Sequence, residues 1–600
     1  MEKTAHDMPR HRSFQATLFC LLCFSQLVEA QPAITAKLSH ALQVAGPGEK
    51  LIVWVFLTDK GTETLGKLSD PASLLSERSL ARRANVLPRA QLVDETDLPV
   101  CREYALKIQS AGVKIRHFSK WLNAISVETN SGQISILRSF PFVRELELVA
   151  RFPKDGSLDD RSQPFEFSPR SPGKTTGVND LDYGPSFAQV NQINVPAVHN
   201  TGNHGQDVIV GVFDNGFRLP NHEAFDSLTI LATYDFVDHK VSVVPVDTRV
   251  SFGTHGVNTL STIGGYKPGT LIGPAFKAKY LLARTENDSS ETPVEEDNWV
   301  RAIEWADSQG VQVTSTSLGY LSFDAPYVSY TWEQMDGKTA ITTKAAVMAA
   351  RKGIVVVNSA GNNGFSSSNN TLNAPADADS IISAGAVDAS GTRAAFSSVG
   401  PTTSVPARIK PDVMARGVAV LAADAVTSTA YVSVNGTSFS CPLTAGVVAL
   451  MIHAFPAATP MQVITALKNT ASRASTPDNQ YGWGIINAKA AIDYLQATEE
   501  PPKAYALLQN YPNPFNSGTV IEYELPEETS VSLKIYNLLG QVVRTIASGA
   551  EPAGHYRPRW DGRSEGGAVL SSGIYFARLD VSGGQSGTTA TSVRKMVLLR

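Results

Sequence analysis

The chain has 600 residues, 42% hydrophobic and 18% charged, with a formal net charge of -4. That length exceeds one compact core, so about two to four domains are expected. The near-balanced charge gives no electrostatic footprint for nucleic acid.

Residues 1–30 read as a secretory signal peptide. Lys3, Arg10 and Arg12 form a basic front, Ala16 to Val28 is mostly apolar, and Val28-Glu29-Ala30 resembles a cleavage site. The apolar run is short for a retained anchor, and no later segment reads as long and apolar enough to span a bilayer. Of the four cysteines, Cys20 and Cys23 leave with the signal. Cys441 reads as a small buried core residue, so Cys101 and Cys441 indicate no disulfide framework.

Residues 31–150 read as a small α+β unit. Its strand candidates are Leu51 to Leu57, Trp121 to Val127 and Phe142 to Leu148. Leu74 to Val86 reads as a basic helix with Arg78, Arg82 and Arg83 facing outward. No catalytic cluster falls in this unit, so a folding or inhibitory role is expected. Residues 151–180 are polar and rich in Ser, Pro and Asp. They read as an exposed linker and a natural place for proteolytic maturation.

Residues 181–497 alternate strand-like and helix-like stretches, which argues for a parallel α/β sheet. Strands are expected at 208–213, 278–283, 311–314, 353–357 and 381–387, and helices at 299–308 and 338–351. In such sheets the active residues gather beyond the carboxyl ends of the strands, where Asp214 and Asn362 fall. Asn435-Gly436-Thr437-Ser438 reads as a tight turn feeding a helix, with Pro442 in its first turn and Leu443, Val447, Leu450 and Met451 at helical spacing. Ser438 then sits at a helix N-terminus, where N–H groups favour developing negative charge. Residues 498–506 form a polar, proline-bearing linker. Residues 507–600 read as a small all-β sandwich, with strands at 519–525, 531–536, 574–579 and 594–599.

The chemistry-bearing residues occur in the order Asp214, His255, Ser438. A serine needs a histidine within reach to take its proton, and the histidine needs a buried carboxylate to fix its tautomer. Asn362, in a Gly-flanked turn after an apolar strand, offers an amide to an oxyanion, and the Ser438 N–H offers a second donor.

Together, Asp214-Asn215-Gly216, Gly253-Thr254-His255, Ser359-Ala360-Gly361-Asn362 and Gly436-Thr437-Ser438-Phe439-Ser440-Cys441-Pro442 resemble the motifs of the subtilisin-like serine proteases (subtilases, peptidase S8). The resemblance covers roughly residues 185–497. It implies a triad of Asp214, His255 and Ser438, with Asn362 as oxyanion donor. It also implies that Ser317, Leu318 and Gly319 pair with the substrate backbone and edge the P1 pocket, with Ala360 and Gly361 as another wall. Asn215 stands where that family usually carries Ser or Thr. The N-terminal unit resembles the inhibitory propeptides of these proteases, most visibly at Trp121 to Val127 and Phe142 to Glu147. The C-terminal unit resembles the type A sorting domain of bacterial type IX secretion, through Leu508 to Asn516, Ile535 to Gln541 and Ser572 to Tyr575.

The expectation is therefore a secreted serine endopeptidase with an α/β subtilisin-like catalytic domain (181–497), an α+β propeptide (31–150) and a β-sandwich sorting domain (507–600). Its expected partners are extended polypeptides, its own propeptide and the secretion machinery, with export across the outer membrane. No cofactor is required by this chemistry, and the family's calcium sites are not assignable to residues of this chain. The competing expectation is a catalytically inactive subtilase-like surface binding protein. An esterase of another α/β family is disfavoured by the triad order and by the lack of a Gly-x-Ser-x-Gly elbow at Ser438.

Overall fold

The computed structural model describes residues 32–46, 48–88, 91–151, 179–218, 222–245, 253–287, 291–324, 327–499, 502–510, 513–516, 518–556, 558–583 and 588–600. The expected signal peptide, and residues 152–178 of the expected linker, lie outside the described residues.

A seven-stranded parallel sheet forms the centre of the molecule. From edge to edge its strands are Val413–Arg416, Ile382–Val387, Val355–Ser359, Val313–Thr316, Ile209–Asp214, Lys279–Arg284 and Thr229–Asp235. Ile209–Asp214, Val355–Ser359 and Ile382–Val387 are buried along their whole length. Helices on both faces do this to a parallel sheet and give it near-continuous apolar strands. On one face Val210, Val212, Val355, Val357 and Ile382 pack with Leu260 and Ile263 of helix Thr254–Gly264 and with Val447, Val448 and Met451 of helix Thr437–Ala454. On the other, Ile209, Phe213, Leu281 and Val356 meet Trp299 and Ile303 of helix Val294–Gln309, and Ala345, Ala346 and Ala349 of helix Ile341–Arg351.

Two sequence expectations need correction in this unit. Helix Thr437–Ala454 is long and apolar enough to cross a membrane, but 89% of it is buried inside the protein, so it is the core helix of the sheet. That helix begins at Thr437, so Pro442 lies inside it rather than in its first turn.

The N-terminal unit is a five-stranded sheet in the order Ala33–Ile34, Val143–Arg151, Leu51–Leu57, Ala124–Thr129, Lys114–Ser119. The strand Leu51–Leu57 is buried at every position. Its alternate residues explain why, since strand side chains point to opposite faces. Leu51, Val53, Val55 and Leu57 face the unit's own helices, Arg102–Ser110 and Ser131–Leu137. Ile52, Trp54 and Phe56 face Trp299, Val300 and Ile303 of the unit built on the seven-stranded sheet. Helix Glu77–Ala84 corrects a third expectation: Arg82 and Arg83 point inward, not to solvent. Arg83 makes a two-pronged ion pair with Asp97 (2.7 and 2.8 Å) and reaches Asp307 at 2.7 Å, while Arg82 reaches Asp307 at 2.5 Å. A short basic helix looks solvated in sequence because the carboxylate both arginines share, Asp307, lies more than 200 positions away in the chain.

The named strands of the C-terminal unit pair antiparallel, with one isolated parallel bridge between Phe515 and Leu598. A four-stranded sheet (Val542–Glu551, Thr529–Tyr536, Gly573–Gly583, Thr588–Leu598) faces two smaller ones, and Leu533, Ile535, Tyr575, Leu579, Trp560 and Tyr523 fill the space between. The single strand expected at 519–525 is two, Thr519–Val520 and Tyr523–Leu525, which pair in different sheets.

Candidate active site

Asp214 ends the strand Ile209–Asp214 and is fully buried. Three donors meet its carboxylate. His255 Nδ1 lies 2.7 Å from Oδ1, the Asn215 N–H donates to Oδ1 at 2.9 Å, and Thr259 Oγ1 donates to Oδ2 at 2.8 Å. A buried carboxylate satisfied in this way is held in one orientation and remains a strong acceptor for the imidazole N–H. Thr259 sits one helical turn after His255, so both side chains leave the same face of helix Thr254–Gly264.

That helix starts at Gly253, whose φ of 62° is left-handed and whose missing Cβ would meet the Gly216 backbone at 2.8 Å. Its early N–H groups have no partner within the helix. Asn215 supplies one, since its Oδ1 accepts the Gly256 N–H at 3.1 Å. Asn215 is itself fixed from behind by Arg284, whose Nε donates to the Asn215 carbonyl at 3.1 Å. Arg284 is buried and pairs with Asp235 at 3.0 Å and Asp238 at 2.8 Å. The asparagine after Asp214 therefore carries a structural task, clamping the His255 helix to the Asp214 strand.

Ser438 is the second residue of helix Thr437–Ala454, after Gly436 with φ 145°. Pro442 explains the next contact. Its ring nitrogen has no hydrogen to give the carbonyl four residues back, which is that of Ser438. Ser317 fills the vacancy, donating from Oγ to the Ser438 carbonyl at 2.7 Å. The Ser438 hydroxyl in turn donates to the Ser317 carbonyl at 3.4 Å, a long and weak bond. The His255 ring lies beside the next residue, with its centroid 5.8 Å from that of Phe439.

Asn362 follows the strand Val355–Ser359. Its Oδ1 accepts the Thr437 N–H at 3.0 Å and the Thr437 hydroxyl at 2.9 Å. That fixes which end of the amide is which and directs Nδ2 toward the nucleophile turn. An atom at the missing Cβ of Gly436 would lie 3.6 Å from the Ser438 nitrogen and 3.7 Å from Asn362 Nδ2. Two N–H donors thus border the same space beside Ser438.

The segments read as substrate-binding are also adjacent. Asn358 Nδ2 donates to the Leu318 carbonyl at 3.0 Å, which ties Ser317, Leu318 and Gly319 to the strand that leads into Ala360 and Gly361. Tyr320, fully buried, anchors the end of that segment by donating to Glu286 Oε1 at 2.6 Å. Burial, with neighbouring Glu291, pushes the Glu286 carboxyl up to about 8. Cys441, one turn after Ser438, is a free, fully buried thiol whose pKa burial pushes up to about 12. Among the described residues no three His, Cys, Asp or Glu side chains gather as a metal site.

Sequence reading missed Thr259, the clamp formed by Asn215 and Arg284, and the Ser317 bond behind Ser438. Thr259 was detectable by its helical spacing from His255. The other two depend on contacts between distant strands, which no local pattern announces.

A parallel sheet carrying a buried Asp paired with a half-buried His at one strand end, and a serine at the start of its core helix, defines a serine-hydrolase arrangement. Residues 205–484 match the subtilase family. Residues 52–163 match the peptidase S8 propeptide domain of Bacteroidota, and residues 513–585 match the FlgD Ig-like domain. Subtilisin DY of Bacillus licheniformis is 32% identical over 300 residues, spanning 50% of this chain and 96% of that protein. Subtilisin E of Bacillus subtilis (strain 168) is 32% identical over 303 residues, 50% of this chain and 70% of its own. M-protease of Shouchella clausii (strain KSM-K16) is 28% identical over 368 residues, 61% of this chain and 84% of its own. The structure of the prenylagaramide maturation protease PagA aligns with a TM-score of 0.39 at 23% identity, covering 50% of this chain and 98% of that one. The chain belongs to the subtilase family, whose members here are serine proteases, and carries a peptidase S8 propeptide region.

Proposed function

We propose that the protein is a serine endopeptidase, made as a secreted zymogen, that cleaves extended polypeptides through an acyl-enzyme on Ser438. The observation that carries this reading is the Asp214–His255 pair at 2.7 Å on the same side of the sheet as Ser438 and the Asn362 amide. His255 Nδ1 is committed to Asp214, so the Ser438 proton goes to Nε2 as Oγ leaves its 3.4 Å bond to the Ser317 carbonyl. Oγ then bonds to the scissile carbonyl carbon. The carbonyl oxygen becomes an oxyanion in the space bordered by Asn362 Nδ2 and the Ser438 N–H. His255 returns the proton to the leaving amine, and a water repeats the sequence to free the acid and restore Ser438. Asp214 fixes the imidazole tautomer and stabilises its charged form.

In this reading the substrate backbone lies along Ser317, Leu318 and Gly319, with Ala360 and Gly361 as the opposite wall of the P1 pocket. The N-terminal unit helps the catalytic unit fold and inhibits it, until cleavage within 151–180 separates them. The C-terminal unit acts as a type A sorting domain and carries the protein across the outer membrane. Its match to an Ig-like domain supports a compact β module and is compatible with that role. The steps above need no cofactor, and no calcium ligand set is assigned. The inactive-binder reading is not favoured, because Asp214, His255, Asn362 and Ser438 are all present, and Asp214, His255 and Asn362 are oriented by the bonds described above.

The test compares full-length wild type with Ser438→Ala, by intact mass over hours and by an active-site fluorophosphonate label. Wild type should lose its N-terminal ~150 residues and label, and Ser438→Ala should do neither. If wild type stays unlabelled after an added protease has removed the propeptide, the protein is not a serine peptidase.

A further inference from the structure

The segments on either side of the P1 pocket both present glycine, Gly319 and Gly361, toward a side chain that belongs to neither. Asn373 arrives from a separate loop. Its N–H reaches the Ala360 carbonyl at 3.4 Å, and the next residue, Ala374, exchanges backbone bonds with Tyr320 at 3.0 and 2.8 Å. A Cβ on Gly319 would stand 2.7 Å from Asn373 Cβ and 2.9 Å from its Nδ2. A Cβ on Gly361 would stand 3.0 Å from Asn373 Oδ1, 3.1 Å from its Cγ and 2.8 Å from Ser398 Oγ. The Asn373 side chain therefore occupies the gap between the two walls from one side to the other.

We infer that Asn373 is the specificity-determining residue of this protease: it closes the floor of the P1 pocket and restricts P1 to glycine, alanine and serine. The inference rests on the protease reading above and names the substrate class for that same site.

The amide does not swing aside at no cost. Asn363 Nδ2 donates to Asn373 Oδ1 at 2.5 Å, and Asn373 Nδ2 donates to the Gly319 carbonyl at 3.4 Å. Asn363 is itself held, donating also to the Thr371 carbonyl at 3.1 Å. A large P1 side chain would have to expel the amide, break both bonds and push polar groups against an apolar surface, which is unfavourable unless each finds a new partner. A small P1 side chain stops short of the amide and leaves the bonds intact. The neighbouring Ser398 hydroxyl adds a polar border near Gly361, and a serine at P1 tolerates that border better than an aliphatic chain does.

The experiment uses mature enzyme from the full-length chain, titrated with the fluorophosphonate label so that rates refer to active sites. Wild type, Asn373→Ala and Asn373→Ser are assayed on peptides that differ only at P1, with Gly, Ala, Ser, Leu, Phe or Tyr. Wild type should favour Ala over Phe by on the order of 10²-fold in kcat/KM, the scale on which a pocket rejects an oversized group. Asn373→Ala should raise kcat/KM for Phe and Leu by at least about tenfold relative to that for Ala. Asn373→Ser should fall between. A labelled wild type that prefers Phe, Tyr or Leu, or a labelled Asn373→Ala with the wild-type profile, would overturn the assignment of Asn373 and leave the protease reading standing. Wild type that neither labels nor cleaves overturns the protease reading itself, and the inference with it.

Discussion

Asn362 is tied by its oxygen to Thr437, one residue before Ser438, and this geometry makes a specific kinetic claim. In the proposed reaction the Nδ2 donor meets charge only after the carbonyl has been attacked, so it would stabilise the transition state more than the bound substrate. Asn362→Ala should lower kcat by on the order of 10²–10³ and leave KM nearly unchanged, as read by steady-state kinetics on a peptide substrate. Equal losses in both parameters would point to a collapsed turn instead. Asp214→Asn should cost about 10⁴ in kcat, because an amide cannot both hold the Nδ1–H tautomer and stabilise the imidazolium. Ser317→Ala tests the vacancy that Pro442 creates. It leaves the buried Ser438 carbonyl without its donor, so stability should drop by about 1–3 kcal/mol in a urea titration. The placing of Asp214, His255, Asn362 and Ser438 at strand ends and helix starts was legible in the sequence, because each sits in a local context of glycines and strand ends. Ser317 was legible only as a substrate contact. Its bond to Ser438 follows from a proline 125 positions away, and spacing does not encode that.

At the scale of elements, the two helices Val294–Gln309 and Ile341–Arg351 carry the catalytic unit's side of a large internal interface. Glu304 accepts the Ser119 hydroxyl at 2.5 Å and the N–H groups of Lys120 and Trp121 at 3.1 and 3.2 Å, capping the loop between two strands of the N-terminal sheet. Burial would raise the Asp307 carboxyl, but Arg82 and Arg83 outweigh it and hold it below the usual carboxylate range. An interface of this kind loses most when one partner of a buried charge network is removed. Arg83→Met in the isolated propeptide should therefore weaken its inhibition of mature enzyme by roughly 10²-fold or more, measured as Ki at constant salt. Asp297 should make the same contact sensitive to pH. It is buried, receives the Ser126 hydroxyl at 2.6 Å, and burial pushes its carboxyl up to about 7. An acid raised on docking binds its proton more tightly in the complex, so its contribution is fully present at low pH and is lost as pH rises through about 7. Buried His117 acts the other way, since burial lowers it to about 3 and docking weakens below its ordinary range near 6.5. Between pH 6.5 and 8 Ki should rise, and Asp297→Asn should reduce that rise, with the remainder coming from neighbouring Glu296, whose carboxyl burial pushes up to about 8. The strand Leu51–Leu57 was readable in full because both of its faces are buried. Helix Glu77–Ala84 was read in place but turned the wrong way, because arginine is charged whether it meets water or a carboxylate.

At the scale of the molecule, the chain divides by its cores. The catalytic and N-terminal units share one, in which Trp54, Phe56 and Trp121 pack with Trp299 and Ile303. Among the described residues, the core of the C-terminal unit is built only from residues after 504, from Tyr505 to Leu598. A unit that completes its own core gains little from its neighbour and melts on its own. The alternation at 531–536 and 574–579 made these strands legible. Val542–Glu551 escaped because it is half-buried to exposed at every position, with only Val543, Ile546 and Ala547 packing partly on the core. Deleting residues 502–600 should therefore leave propeptide processing, fluorophosphonate labelling and the melting transition of the rest unchanged, with one calorimetric transition missing. If the C-terminal unit is the export signal, the same deletion should hold the protein inside the cell envelope of its host, with the catalytic unit folded and labelled in periplasmic fractions. Labelled, truncated enzyme in the medium at wild-type levels would refute the sorting role while leaving the modular reading intact. Loss of labelling on truncation would refute the modular reading, because it would mean that the catalytic unit depends on a core it does not share.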